Sequence, residues 1–513
     1  MPRAAPAFLM TVATALAAGG GMCAARVGGT ADSPPAAAAA AAEQGWFGRA
    51  RELWQQGGAE GGGADGFLAR LAALEREVEL AARDRGRAEA RRWAAGGCRT
   101  AWRHDLSGVS AAWPPVISGE LVLWNTGVAV HAVRLEDGMP PWPAGGAGRD
   151  TRLFPRGSAT APNGGLAATA TPGALCAAGS RAYAVLARPA SEEIVCLDLS
   201  PAAEGRLVWL VDVAHVATAG LGRVAGPLQC DGPPAVDHEL CCIVLRTAGG
   251  RGELILAAFA AADGRLEWTQ RCGTALAADG VDHARGRRRP VFVEDRIVLA
   301  THAGTIIAFD RDGRRAWRSE LPAAAPRPRA DDALAPRFPA VPDTLASRGL
   351  AVVAPRDAGG VVAIEARGGA VAWRWAADDA VVGLLGPVEE GVVAVTRTAG
   401  DAAGLVRLDR ASGREAGQPG TVSGPTSGPV TLVDHTLFHP RSPKAGVGGI
   451  VLDVVDPVSL AARRPLSVDV APSATAADQG SPVCFVAGGG GRLAVAVPGA
   501  IVCVEAAAVA ADE

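Results

Sequence analysis

Lysine is almost absent from this sequence: the 513 residues carry 50 basic side chains, and Lys444 is the single lysine among them. Tyrosine occurs once, at Tyr183, and asparagine twice, at Asn125 and Asn163. This bias makes arginine a poor marker of function, because nearly every basic position defaults to it. The formal net charge is −3, with no basic stripe, which argues against nucleic acid as a partner. Scarce asparagine also narrows the metal chemistry open to the chain, since hard cations need several converging oxygen ligands. Apolar residues make up 49%, enough for a sizeable core although alanine and glycine inflate the figure. The length is large for one ordinary domain and normal for one large repeat fold.

The chain opens MPRAAPAFLMTVATALAAGGGMCAA. Arg3 gives a minimal positive region, and residues 4–18 form a short apolar stretch followed by small residues. That is the form of a secretory signal, and it is too short for a membrane span. Residues 1–25 are therefore read as a signal peptide, with cleavage near Ala17 or Ala25 suiting the preference for small residues. Export to the periplasm, the cell envelope or the medium is expected. Membrane association would follow only from lipidation at Cys23, where Met22 replaces the small residue such signals carry.

Residues 26–95 are read as a low-complexity linker and a helical hairpin. An alanine run covers 36–42, and WFGRARELWQQ (46–56) and FLARLAALEREVELAARDRGRAEARRW (67–93) read as helices joined by a glycine-rich bend. Phe67, Leu71, Leu74, Val78 and Ala81 recur at spacings of three and four, forming one apolar face. Such a face suits a stalk or packing element, and it names no partner.

From residue 96 to 510 the pattern changes to short β runs and turns, and one phrase returns. VHAVRLEDGMPPW (130–142), VCLDLSPAAEGRLVW (195–209), LAAFAAADGRLEW (256–268), IIAFDRDGRRAW (306–317) and VVAIEARGGAVAW (361–373) each place a tryptophan four residues after a glycine. The pairs are Gly138/Trp142, Gly205/Trp209, Gly264/Trp268, Gly313/Trp317 and Gly369/Trp373. LVRLDRASGREAG (405–417) keeps Gly413 but has Gly417 at the tryptophan position, and IVLDVVDPVSLAARRPL (450–466) is degenerate. Each interval holds four short strands, which is one propeller blade. The last set, SPVCFVAGGGGRLAVAVPGAIVCVEA (481–506), lacks its tryptophan strand, while CRTAWRHDL (98–106), with Trp102, stands unpaired at the start. The fold expected is all-β: an eight-bladed propeller of four-stranded antiparallel blades, closed by that N-terminal strand. The glycines turn the third strand into the fourth, and the tryptophans fill the wedges between blades.

A strand ending in Ala-x-Asp, then a turn with glycine, then tryptophan, resembles the repeat of the pyrroloquinoline quinone (PQQ) enzymes. AFDRDGRRAW, CLDLSPAAEGRLVW and AIEARGGAVAW carry the resemblance. It implies the fold but divides on function. Some members are quinoprotein alcohol dehydrogenases; others resemble the noncatalytic propeller lipoprotein of the outer-membrane β-barrel assembly machinery. The dehydrogenases hold the quinone over a tryptophan floor, with calcium bound by Glu, Asn and Asp, another Asp as base and a disulfide between adjacent cysteines. Cys241-Cys242 is the echo of that disulfide, but it lies in a β-branched run where neighbouring side chains point to opposite faces. Neither Asn125 nor Asn163 stands in a recognisable cofactor motif. No catalytic, cofactor-binding or metal residue is carried over.

Other motifs are no stronger. GLGRVA (220–225) matches a dinucleotide fingerprint by letters, but Gly226-Pro227 follows where a helix must begin. Lys444 has no phosphate loop before it. His435 and His439 in DHTLFHP, with Asp434, offer too few ligands for a metal, and no GxSxG elbow occurs. Among the ten cysteines, Cys176/Cys196 and Cys484/Cys503 fall on first and third strands, beyond disulfide reach. Cys230 with Cys241 or Cys242 is the one pairing left for test. The function expected is a monomeric, exported, noncatalytic scaffold without cofactor. Its protein partners would meet face loops or the insertions at 143–165 and 321–339. The alternative is a PQQ- and calcium-dependent dehydrogenase with a divergent site; a hydrolase or lyase reading has no motif behind it.

Overall fold

The computed structural model describes residues 64–506 apart from 107–113, 143–150, 156–173, 189–190, 217–225, 249–251, 276–287, 322–341, 356–358, 398–401, 423–427, 442–448, 469–483, 490 and 498. The signal-like segment, the first of the two expected helices, Asn163 and Lys444 therefore lie outside the described residues. Two units emerge, one running to Arg85 and the other from Gly86 onward. The second expected helix is present as Ala64–Gly96, straddling that division.

The second unit is an eight-bladed β-propeller. Blades 1 to 7 span 116–154, 175–212, 228–274, 291–320, 344–376, 380–422 and 431–468, each a sheet with its strands in sequence order. In blade 3 the first strand is broken into Leu228–Cys230 and Ala235–Val236 by Asp231-Gly232-Pro233-Pro234, since proline cannot donate to the ladder. Blade 8 is assembled from both ends of the propeller sequence. Phe485–Gly489, Arg492–Val497 and Ala500–Ala506 supply three strands, and Cys98–Asp105 pairs antiparallel with the third, Cys98 opposite Ala506 and Asp105 opposite Ala500.

The core is not one cluster. Eight apolar clusters are found among the described residues, each shared by two adjacent blades. Strand alternation explains this: successive side chains point to opposite faces, so each central strand feeds both neighbouring wedges. Cys241 and Cys242 show it directly. Cys241 packs with Tyr183 and Trp209 of blade 2, and Cys242 with Leu299 and Phe309 of blade 4.

One strand lies elsewhere than the repeat phrase predicts. Trp142 is not on the outer strand of blade 1; that strand is Arg152–Phe154, inside the stretch expected to be an insertion. Pro140, Pro141 and Pro143 flank Trp142 and remove the N–H groups a ladder would need.

Candidate functional site

The first and second strands of a blade are joined by short turns, as are the third and fourth in blades 2 to 7, so these turns share one face; the longer 135–151 link of blade 1 leaves from the same face. At the third-to-fourth turn the glycines take positive φ: 69° at Gly138, 70° at Gly205, 75° at Gly264, 78° at Gly313, 73° at Gly369 and 67° at Gly413. That conformation disfavours a side chain, and the space for one is already taken. A Cβ at Gly138 would stand 2.6 Å from Trp102, at Gly264 2.6 Å from Trp209, and at Gly313 2.5 Å from Trp268. Trp317 covers Gly369 and Trp373 covers Gly413 in the same way, while Trp142 brings only its ring edge to Gly205. Each tryptophan is thus seated on the glycine of the next blade, not on the one four residues before it.

Five of these seats are closed by a hydrogen bond. The indole N–H of Trp102 donates to the Leu135 carbonyl at 2.9 Å, Trp209 to Ala261 at 3.0 Å and Trp268 to Arg311 at 2.8 Å. Trp317 and Trp373 donate to Ala366 and Arg410, both at 2.7 Å. The Leu135 carbonyl also accepts from Arg492 at 2.9 Å, as Ala261 does from Arg181 at 2.5 Å. Blade 8 is therefore joined to blade 1 by the contacts that join blade 2 to blade 3. A large ring with a polar tip suits such a seat, because it fills the wedge and satisfies one backbone carbonyl.

The opposite face carries the links from second to third strand and from one blade to the next. Sequence reasoning missed the buried polar groups there. Asn125, 1% exposed, donates to the carbonyls of Ala174 and Val185 in blade 2, and its own oxygen accepts from Gly127 N–H. Glu192 of blade 2 accepts from the Cys230 N–H of blade 3 at 2.5 Å. Arg288 is fully buried; it pairs with Asp231 at 2.5 Å and donates to the carbonyls of Thr301 and Ala275. His302 of blade 4 reaches Asp343, at the entry to blade 5, at 3.0 Å. Their signal was charge or amide at the end of an apolar run, where a buried polar group must find a partner.

These commitments bear on cofactor chemistry. Asn125 spends its donors and its acceptor on backbone groups of blades 1 and 2. Cys241 and Cys242 point into different wedges and cannot ring together above a ligand. Asn125, Cys241 and Cys242, the described residues that echo the resemblance, are thus committed to packing and backbone groups rather than to a quinone held over calcium. Among the described residues no group of three or more His, Cys, Asp or Glu side chains converges on a metal position. His439 is buried beside Asp453 at 3.6 Å, while His435 lies in the preceding turn with φ of 58°, so the two histidines do not meet.

The described cysteines are free thiols, which corrects the one pairing left for test. The register sets Cys230 opposite Leu245, three or four positions along the strand from Cys242 and Cys241. Burial pushes the Cys230, Cys241 and Cys242 thiols well above their ordinary range, so they are inert small hydrophobes. No described helix is long and apolar enough to cross a membrane.

Residues 190–338 match the family model described as outer membrane protein assembly factor BamB. No curated protein sequence matches the chain. Among solved structures, quinohemoprotein alcohol dehydrogenase from Comamonas testosteroni aligns over 82% of this chain and 78% of its own, with 12% identity and a TM-score of 0.50. BamB from Moraxella catarrhalis aligns over 80% of this chain and 99% of its own, with 11% identity and a TM-score of 0.45. At such identity the dehydrogenase likeness speaks for fold alone. The chain is an eight-bladed propeller built from PQQ-like repeats, and over residues 190–338 its sequence is similar to the BamB model.

Proposed function

We propose that this protein is an exported, noncatalytic scaffold of the cell envelope that binds protein partners through the loops of one propeller face. The observation that carries the reading is an asymmetry. Apart from the 135–151 link of blade 1, the links on one face are turns of ten residues or fewer, whereas long links such as 155–174 and 321–343 leave the strands at the other. Loops held on a rigid scaffold are where recognition concentrates. The family-model match supports a protein-binding role, and the commitments of Asn125, Cys241 and Cys242 speak against the dehydrogenase alternative.

Site-specific photo-crosslinking in cells tests it. A photoreactive residue at Thr126 or Arg188, on the loop face, should trap envelope proteins; one at Glu120 or Asp312, in the tight turns, should not. Equal trapping from both faces, or from neither, removes the proposal. Adding PQQ and calcium to purified protein should change neither its melting temperature nor its absorption. A saturable quinone spectrum with alcohol-dependent dye reduction would establish the dehydrogenase instead.

A further inference from the structure

The tryptophan seats do not run all the way round. At the junction of blades 6 and 7, Gly417 replaces the tryptophan, and Leu460 replaces the turn glycine. At the junction of blades 7 and 8 both members are missing. The outer strand of blade 7, Leu466–Val468, has no tryptophan, and Arg464 stands four residues after Leu460. Blade 8 has no third-to-fourth turn at all, because its third strand ends at Ala506 and its fourth begins at Cys98. Gly97 precedes that strand with φ of 77°, matching the turn glycines, yet among the described residues nothing stands within 4 Å of where its Cβ would be. It is a seat without an occupant.

The end of the helix holds this junction instead. Trp93, 1% exposed, packs among Val433, Phe438, Leu452 and Val504, meeting Phe438 edge-on at 5.7 Å. Gly86 lies against the His435 ring in the tight turn of blade 7. Arg87 pairs with Glu389 of blade 6, and Glu89 reaches the Gly491 turn of blade 8. The attachment differs from the others in one respect. Five seated indoles donate to a carbonyl of the next blade; the buried indole N–H of Trp93 has no acceptor among the described residues.

We infer that the junction of blades 7 and 8 is the opening point of the ring, and that the helix end carrying Trp93 is a releasable strap across it. A buried donor left unpaired costs its full desolvation penalty, more than a satisfied one contributes. The Arg87–Glu389 pair is partly exposed and therefore weak. Blades touch only their neighbours, so local opening begins at the weakest junction and need not spread. The strap goes beyond the scaffold reading and stands whether or not that reading holds.

Hydrogen exchange of the full-length protein, followed by mass spectrometry, tests it. Peptides from 431–468 and 485–506 should exchange about tenfold faster than those from blades 2 to 5. Trp93→Ala should raise exchange about tenfold further in those two blades and leave blades 2 to 5 unchanged, and Trp93→Phe should restore most of the protection. Even exchange around the wild-type ring, or a Trp93→Ala effect spread over all blades, overturns the strap. If Trp93→Ala does not fold, Trp93→Leu decides: faster exchange confined to blades 7 and 8 supports the strap, and no selective change overturns it.

Discussion

Leu460 and Gly420 fit together as a reversed copy of the Trp373–Gly413 pair. In the Trp373 seat the large residue comes from blade 5 and the glycine from blade 6. One junction further, the glycine is in blade 6 and the large residue in blade 7, with the position of a Gly420 Cβ only 2.9 Å from that of Leu460. Leu460 accepts φ of 54° to hold the turn, its N–H donating to the Asp456 carbonyl at 2.8 Å just as Gly413 does to Asp409. Leu460→Gly should relieve that backbone but empty the wedge, since Leu460 is 5% exposed. A net loss of about 2–4 kcal/mol is expected in urea unfolding, from the vacated core volume. A gain in stability would mean that the strain outweighs the packing.

Two glycines with nearly the same φ should respond differently to alanine. Gly313→Ala forces a Cβ against Trp268 and a left-handed alanine, together costing about 2–4 kcal/mol. Gly97→Ala meets open space and should cost only the backbone share, about 1–2 kcal/mol. Thermal melts of both variants give the comparison; equal losses would show that the tryptophan yields without penalty.

Trp102→Ala should cost about 3–5 kcal/mol, as for a large buried aromatic. The ring is 8% exposed, covers Gly138 and donates to Leu135. Trp142→Ala should cost clearly less, because Trp142 is only half-buried, touches Gly205 by its edge and lies outside the ladder. The order of the two midpoints checks this.

Asp231→Ala leaves the Arg288 guanidinium buried beside two backbone carbonyls and without its carboxylate. About 3–5 kcal/mol should be lost, as for other broken buried pairs. Asp231→Ala with Arg288→Met should recover part of that loss, because the charge that Asp231 faced goes too. A double variant weaker than the single one would show that Arg288 is held mainly by Thr301 and Ala275.

The seam between blades 8 and 1 should also feel acid. His104, on the outer strand of blade 8, lies 5.5 Å from the Trp124 ring of blade 1. Its pKa is lowered by burial, with Asp105 pulling weakly the other way. A base whose folded pKa lies below its unfolded value contributes stability above the unfolded pKa, near 6.5, which is lost as pH falls. His104→Gln should flatten the melting temperature between about pH 7 and pH 5 relative to wild type. An unchanged slope would assign the acid response to other groups.

The fold was legible because the glycine–tryptophan phrase repeats, and because a strand missing at one end of the propeller sequence stands unpaired at the other. The tryptophans were legible as wedge fillers between blades; which glycine each one covers was not, since the partner of Trp209 is Gly264, 55 positions on and one blade away. Pro140, Pro141 and Pro143 were visible, yet their effect on the ladder was not weighed, and the outer strand of blade 1 was missed. Trp93 read as the end of an amphipathic helix, since periodicity shows which face is apolar and not what covers it. Glu192, Arg288 and His302 drew no notice and Asn125 was weighed only as a ligand, because burial at a blade junction has no local signature.

Blade 8 also orders events in time. Cys98 pairs with Ala506, so the strand synthesised first among the β elements waits for the three synthesised last. Joining ends separated by about 400 residues in a flexible chain would carry a loop entropy of about 5 kcal/mol. Blades 1 to 7, once stacked, place the two ends side by side and remove most of that cost. Until then the N-terminal strand, with Trp102 uncovered, is the part of the chain that most needs shielding from other molecules.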